Sequence, residues 1–142
     1  MVASIELSAE QMQQELNITP MVKFMGIRLA SWDAASALLT CTMPMRPEFS
    51  NMPDSSSFHG GAIATLVDTA TCFAVIGKGF NACSTVNLRV DYLRAAISTS
   101  LKCVAKIRRI GRTAAAVDAD VFDNAGKLVA IGRCNLVIFQ NN

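Results

Sequence analysis

Residues 58–79 read FHGGAIATLVDTATCFAVIGKG, and this stretch decides the fold. After the paired glycines the run is apolar or small on nearly every side of a helix, and a helix without a polar face must be enclosed. A bilayer is a poor enclosure, because the run is short for a span and Asp68 interrupts it. The expectation is a helix wrapped by protein.

What wraps it is read on either side. Downstream the period changes to two: in STVNLRVDYL, residues 84–93, Val86, Leu88, Val90 and Tyr92 alternate with Asn87, Arg89 and Asp91. Residues 101–107, 114–122 and 128–139 supply three more strands, the last two joined by the turn Asp123-Asn124-Ala125-Gly126. Upstream, residues 36–43 favour a strand, an extended stretch runs through Trp32, and Pro44, Pro47 and Pro53 make residues 44–59 a loop. Ser8 with Gln11 three positions on predicts a capped helix over 8–16, and Pro20–Gly26 a second turn. A strand, a long apolar helix and an antiparallel meander bury best when the sheet curls around the helix. That is an α+β hotdog fold in one domain over residues 1–142, with 1–19 as a helical extension.

The bulk numbers narrow the function. At 51% hydrophobic and 17% charged, the chain has apolar surface to spare for a partner subunit. A net charge of +2 with no run of like charges argues against wholesale nucleic-acid binding. Five cysteines without a C-x-x-C pair read as reduced thiols in a cytoplasmic protein, and one histidine offers no ordinary zinc set. Residues 1–16 carry Glu6, Glu10 and Glu15 and do not read as a signal peptide.

Chemistry concentrates at the helix. Its N-terminus leaves unpaired N–H groups with positive partial charge, and Gly60 and Gly61 let a ligand oxygen approach them. The tetrahedral oxyanion formed when water attacks an acyl carbonyl suits such a site, while the plainer reading is that the glycines relieve crowding. Asp68, eight residues beyond Gly60 and on the same helical face, is the only charge between Asp54 and Lys78. It is either a general base or nucleophile, or a residue facing water at a helix edge. Asn51 offers an amide in the loop, although a loop Asn is often only a turn residue. His59 stands ready to cap or orient the site, or is simply structural, and Ser84 and Thr85 open the next strand with hydroxyls. Arg94 to Val117 holds Arg108, Arg109, Arg112 and further bases with no acid, which suits phosphates or a solvated strand face. No P-loop and no G-x-S-x-G elbow is present.

His59-Gly60-Gly61-x6-Asp68, with Asn51 upstream and the strand from Thr85 downstream, resembles the phenylacetic-acid-degradation type of hotdog thioesterases over residues 20–140. The resemblance implies hydrolysis of an acyl- or aryl-coenzyme A without metal or prosthetic group. In it Gly60 N–H polarises the carbonyl, Asp68 activates water, Asn51 positions that water and Thr85 assists Asp68. It also implies a homodimer or dimer of dimers, with Asn51 and Gly60 of one subunit facing Asp68 of the other, and coenzyme A lying along the basic strands near Arg108, Arg109 and Arg112. The loop NMPDSSSFHGG is two residues longer than the family's common form and lacks its glycine. A non-catalytic acyl-CoA-binding protein and a hotdog dehydratase or hydratase are the alternative readings on the same fold.

Overall fold

The structure is a computed structural model that describes residues 5–80 and 82–139; residues 1–4 of the helical extension and 140–142 of the domain read from the sequence lie outside it. Helices α1 (Ala9–Ile18) and α2 (Pro20–Met25) precede strands β1 (Arg28–Asp33) and β2 (Leu38–Pro44). A short 3-10 turn at Pro47–Phe49 leads to helix α3 (Gly60–Gly77), then strands β3 (Ala82–Tyr92), β4 (Ser100–Ile110), β5 (Ala114–Asp123) and β6 (Leu128–Phe139). Ser8 caps α1 with the reciprocal bonds expected: its Oγ accepts from Gln11 N at 3.2 Å, and Gln11 Oε1 accepts from Ser8 N at 2.8 Å. Gly26 closes α2 in the left-handed conformation, φ 68°.

All six strands form one antiparallel sheet in the order β1-β2-β4-β5-β6-β3. The sheet wraps α3, whose Ala62, Ile63, Leu66, Val67, Ala70, Phe73, Ala74 and Val75 are buried against Leu39, Cys41, Leu101, Val117, Val121 and Leu136. By length and composition α3 is apolar enough to cross a bilayer, yet here the sheet takes its apolar faces. The hotdog is thus the observed architecture. One detail differs from a simple meander: β3 does not neighbour β4 but crosses to the far edge and pairs with β6. Alternation of apolar and polar residues says which face of a strand is buried and nothing about which strand lies beside it.

The N-terminal segment covers the far end of α3. Met12 and Leu16 are fully buried, Leu7 N donates to Gly77 O at 2.9 Å, and Trp32 Nε1 donates to Leu7 O at 3.0 Å.

Two bulges shape the strands that matter for function. On β3, Thr85 pairs with Leu136 and Asn87 with Asn135, so Val86 is the extra residue. Strict alternation from Leu88, Val90 and Tyr92 would send Thr85 to the opposite face. The bulge restores it to the α3 side and pushes Val86 outward, where it is 68% exposed. On β4 the register shifts between Ile107 and Arg109, making Arg108 the bulged residue.

Candidate active site

The start of α3 is a full account of helical donors. Ala62 N and Ile63 N donate to His59 O at 3.0 and 3.3 Å, and Gly61 N donates to His59 Nδ1 at 2.8 Å. Only Gly60 N–H is left without a partner among the described residues. His59 is therefore the N-cap, and by occupying Gly61 N–H it singles out Gly60 as the donor open to a ligand. The Gly60 carbonyl is held too, accepting from the Tyr92 hydroxyl at 2.7 Å. A Cβ on Gly60 would sit 3.1 Å from the Tyr92 ring, so the glycine lets the aromatic ring close over the helix start.

Asn51 reaches this end of the helix through the preceding loop. His59 N donates to Phe49 O at 2.7 Å and Asn51 N to Ser57 O at 3.0 Å, so residues 49–51 run beside 57–59. The Asn51 amide donates to Ser57 Oγ at 3.2 Å and is exposed.

Two turns along, Asp68 lies on a line of α3 that is only half-buried and faces the edge strand β3. Gly60, Ala64, Asp68, Cys72 and Ile76, spaced by four, are all half-buried, whereas the flanking positions are mostly buried. Thr85 Oγ1 donates to Asp68 Oδ1 at 2.7 Å, which fixes the carboxylate against β3. Behind Thr85 stands Cys134, its sulfur 3.7 Å from Thr85 Oγ1, with a thiol pushed above its ordinary value by burial. Gly132 on β6 gives α3 room here, since a Cβ there would lie 2.9 Å from Val67 Cγ1.

Strand β3 grips this half-buried line of α3 at three points. Tyr92 meets Gly60, Thr85 meets Asp68, and Cys83 meets Cys72 with the sulfurs 2.9 Å apart. Ser84 lies between Cys83 and Thr85, so strand alternation turns its hydroxyl to the outer face, away from Asp68.

The arginines lie across the sheet. Thr85 pairs with Leu136, Leu136 with Ala115 and Ala115 with Ile110, next to the Gly111-Arg112 turn. Three steps of about 4.8 Å put this turn roughly 14 Å from Thr85. Arg109 is exposed there, and Arg112 is exposed in the turn itself. Arg108 instead faces Asp118 at 3.6 Å on the outer face, where Arg133 also binds Asp118 at 2.5 and 2.9 Å. The hydrogen bonds from Arg133 hold the Asp118 carboxyl below its ordinary value, opposed by burial and reinforced by the Arg133 and Arg108 charges.

Sequence reasoning thus named residues that the fold does gather: His59 with Gly60 and Gly61, and Asp68 with Thr85. Tyr92, Cys72, Cys83 and Cys134 were not singled out. Cys72 was visible as the residue one turn beyond Asp68, and Cys83 as the one two before Thr85.

With the geometry in place, comparison with known proteins is decisive. The thioesterase superfamily model matches residues 56–130, from the loop before α3 into β6. The chain belongs to this superfamily. It is a thioester hydrolase. Acyl-coenzyme A thioesterase PaaI of Escherichia coli K12 is 28% identical over 112 residues, spanning 78% of this chain and 76% of that protein. Among solved structures, a thioesterase-superfamily protein superposes with a TM-score of 0.85 at 30% identity, over 93% of this chain and 98% of the other. The E. coli PaaI protein from the phenylacetic acid degradation operon superposes at 0.81 with 24% identity, over 94% and 95% of the two chains, a likeness of fold.

Proposed function

We propose that this thioesterase hydrolyses acyl-coenzyme A, with Asp68 activating the attacking water and the Gly60 N–H of a second copy of the chain holding the thioester oxygen. The observation that carries this reading is the pairing of one unoccupied helix-terminal donor with one braced carboxylate on the same half-buried line of α3. Eight residues at about 1.5 Å of rise separate them by roughly 12 Å. A carbonyl bonded to an N–H and attacked by water on a carboxylate needs both within about 3 Å of the reacting atoms and the water. One chain therefore does not bring its own Gly60 and Asp68 to one thioester.

A second copy does. β3 ends the sheet as an 11-residue edge strand that exposes Val86 and Tyr92, with exposed Leu93 just beyond it. Its rungs to α3 run antiparallel, from Tyr92–Gly60 to Thr85–Asp68. A two-fold axis near Leu88 then sets the Ala64 region of one helix against that of its partner, and brings Gly60 of one chain towards Asp68 of the other. Each dimer holds two such sites, and the outer sheet faces remain for pairing dimers.

In the reaction, water held by Asp68 loses its proton to the carboxylate as its oxygen attacks the carbonyl carbon. The carbonyl oxygen takes the developing negative charge beside Gly60 N–H and the positive end of α3. Collapse of the intermediate breaks the C–S bond, and the proton on Asp68 passes to the leaving sulfur, releasing coenzyme A as thiol and the acyl group as acid and restoring the carboxylate. Thr85 keeps Asp68 aimed, and Asn51 lies at the Gly60 end to steady the water or the acyl group. Arg109 and Arg112, across the sheet, meet the nucleotide phosphates. No cofactor enters these steps, and five free thiols suit a cytoplasmic setting.

The test is a panel of acyl-CoAs, from short aliphatic to aryl, read by release of free thiol. Turnover of at least one member supports the reading. Tight binding throughout without hydrolysis would replace it with that of an acyl-CoA-binding protein.

A further inference from the structure

We propose that Cys72 and Cys83 form an oxidative modification site, in which a low-molecular-weight disulfide such as oxidised glutathione converts the two thiols into a disulfide linking α3 to β3. Three facts converge on the pair. The sulfurs already touch at 2.9 Å, and both residues are half-buried rather than sealed in the core. They come from different elements, Cys72 from the half-buried line of α3 and Cys83 from the edge strand β3. And they form the third rung of the same ladder that holds Asp68, one turn from it on the helix and two residues from Thr85 on the strand.

Chemistry divides the roles. The contact with Cys72 holds the Cys83 thiol below its ordinary value, while the same contact and burial push Cys72 up, so Cys83 is the more acidic partner. Its thiolate attacks one sulfur of oxidised glutathione, forming a mixed disulfide and releasing one glutathione thiolate. Cys72 then gives up its proton and attacks the Cys83 sulfur, forming the internal disulfide and releasing the second glutathione. Two protein thiols are oxidised, one disulfide is reduced, and the two thiol protons end on the two glutathiones.

Cys41 and Cys103 stand apart from this chemistry: both are fully buried, and burial pushes Cys41 up to about 12. Cys134 is buried as well, and its hydrogen-bond partners are Thr71 and Thr85 rather than a thiol.

Bond formation has a consequence for turnover. A disulfide holds its sulfurs about 2.05 Å apart, so oxidation draws β3 against α3 next to the Thr85–Asp68 bond. Misplacing a catalytic group by a fraction of an ångström lowers the rate of the chemical step more than substrate binding. This consequence rests on Asp68 acting as the base; the disulfide itself does not.

The experiment treats the full-length protein with oxidised glutathione, digests it under non-reducing conditions and sequences the cross-linked peptides by mass spectrometry. Trypsin cuts after Lys78, between the two cysteines, so the bond joins two peptides, and fragmentation places it on Cys72 and Cys83. The expected result is that cross-link, with kcat reduced at least about fivefold, KM within about twofold, and full recovery in dithiothreitol. Cys83→Ser and Cys72→Ala should each keep turnover and lose the response. A protein that stays reduced, that stops at a mixed disulfide, or that links Cys83 to Cys134 would overturn the assignment of the site. The Cys72–Cys83 bond with unchanged kcat, or loss of turnover in either variant on oxidation, would overturn its coupling to catalysis while leaving the thioesterase reading intact.

Discussion

Replacing Gly60 by proline removes the one N–H that the start of α3 leaves open, and the structure shows why the fold should accept it. Gly60 is the first helical residue, where proline's fixed φ is favourable and its missing donor costs no intrahelical bond. His59 before it is already extended, φ −62° and ψ 137°, as a residue preceding proline prefers. Gly60 N has no partner to lose. The cost is steric: a Cβ meets the Tyr92 ring at 3.1 Å, which the ring relieves by moving a few tenths of an ångström. Gly60→Ala carries the same Cβ and keeps the N–H, so the pair of variants separates crowding from lost hydrogen bonding. Removing a single oxyanion donor costs about 100- to 1,000-fold in kcat, or about 2.7–4 kcal/mol of transition-state stabilisation. Gly60→Ala should lose no more than about tenfold, the rate cost of a shift worth about 1.4 kcal/mol. The assay is thiol release at saturating acyl-CoA, with circular dichroism and Tm confirming that both variants are folded. Equal turnover by the folded alanine and proline variants would refute a role for Gly60 N–H.

Three further outcomes follow from the same geometry. Thr85→Val keeps the side-chain shape but removes the 2.7 Å bond to Asp68, and should lower kcat about tenfold with little change in KM, while Thr85→Ser should retain most turnover. Neutralising Arg108, Arg109 and Arg112 together should raise KM for acyl-CoA more than for a truncated thioester lacking the nucleotide, and an equal effect on both would separate the cluster from phosphate binding. Refolding Gly60→Pro with Asp68→Ala should restore about a quarter of wild-type activity, because half the dimers are mixed and each has one intact site of two. No recovery after exchange is verified by native mass spectrometry would mean that each site lies within one chain.

Much of this was legible in the sequence because the signals were local. An apolar run around a helix leaves one means of burial, and the His59-Gly60-Gly61 start with Asp68 two turns on needs only helical geometry to align. The Ser8–Gln11 cap was legible for the same reason. Less legible were features set by non-local pairing. The place of β3 at the edge depends on β6, some 40 residues later, and no alternation within β3 reveals it. The Val86 bulge was half-visible: Thr85 and the series Leu88, Val90, Tyr92 differ in parity, and both face α3 only if one residue is extra. His59 offered a cap, an orienting group or a structural residue, and only the structure, through its rotamer, shows the ring capping the helix at Gly61 N–H. Tyr92 read as an ordinary strand residue because its partner, the Gly60 carbonyl, belongs to the backbone.

The most direct measurement is the turnover of Asp68→Asn, which preserves size and can still accept from Thr85 but cannot take a proton from water. With the variant folded and dimeric, thiol release from the best acyl-CoA substrate should fall at least about 100-fold while substrate binding is retained. Turnover equal to that of the wild-type chain would contradict the assignment of Asp68 as the base of this thioesterase.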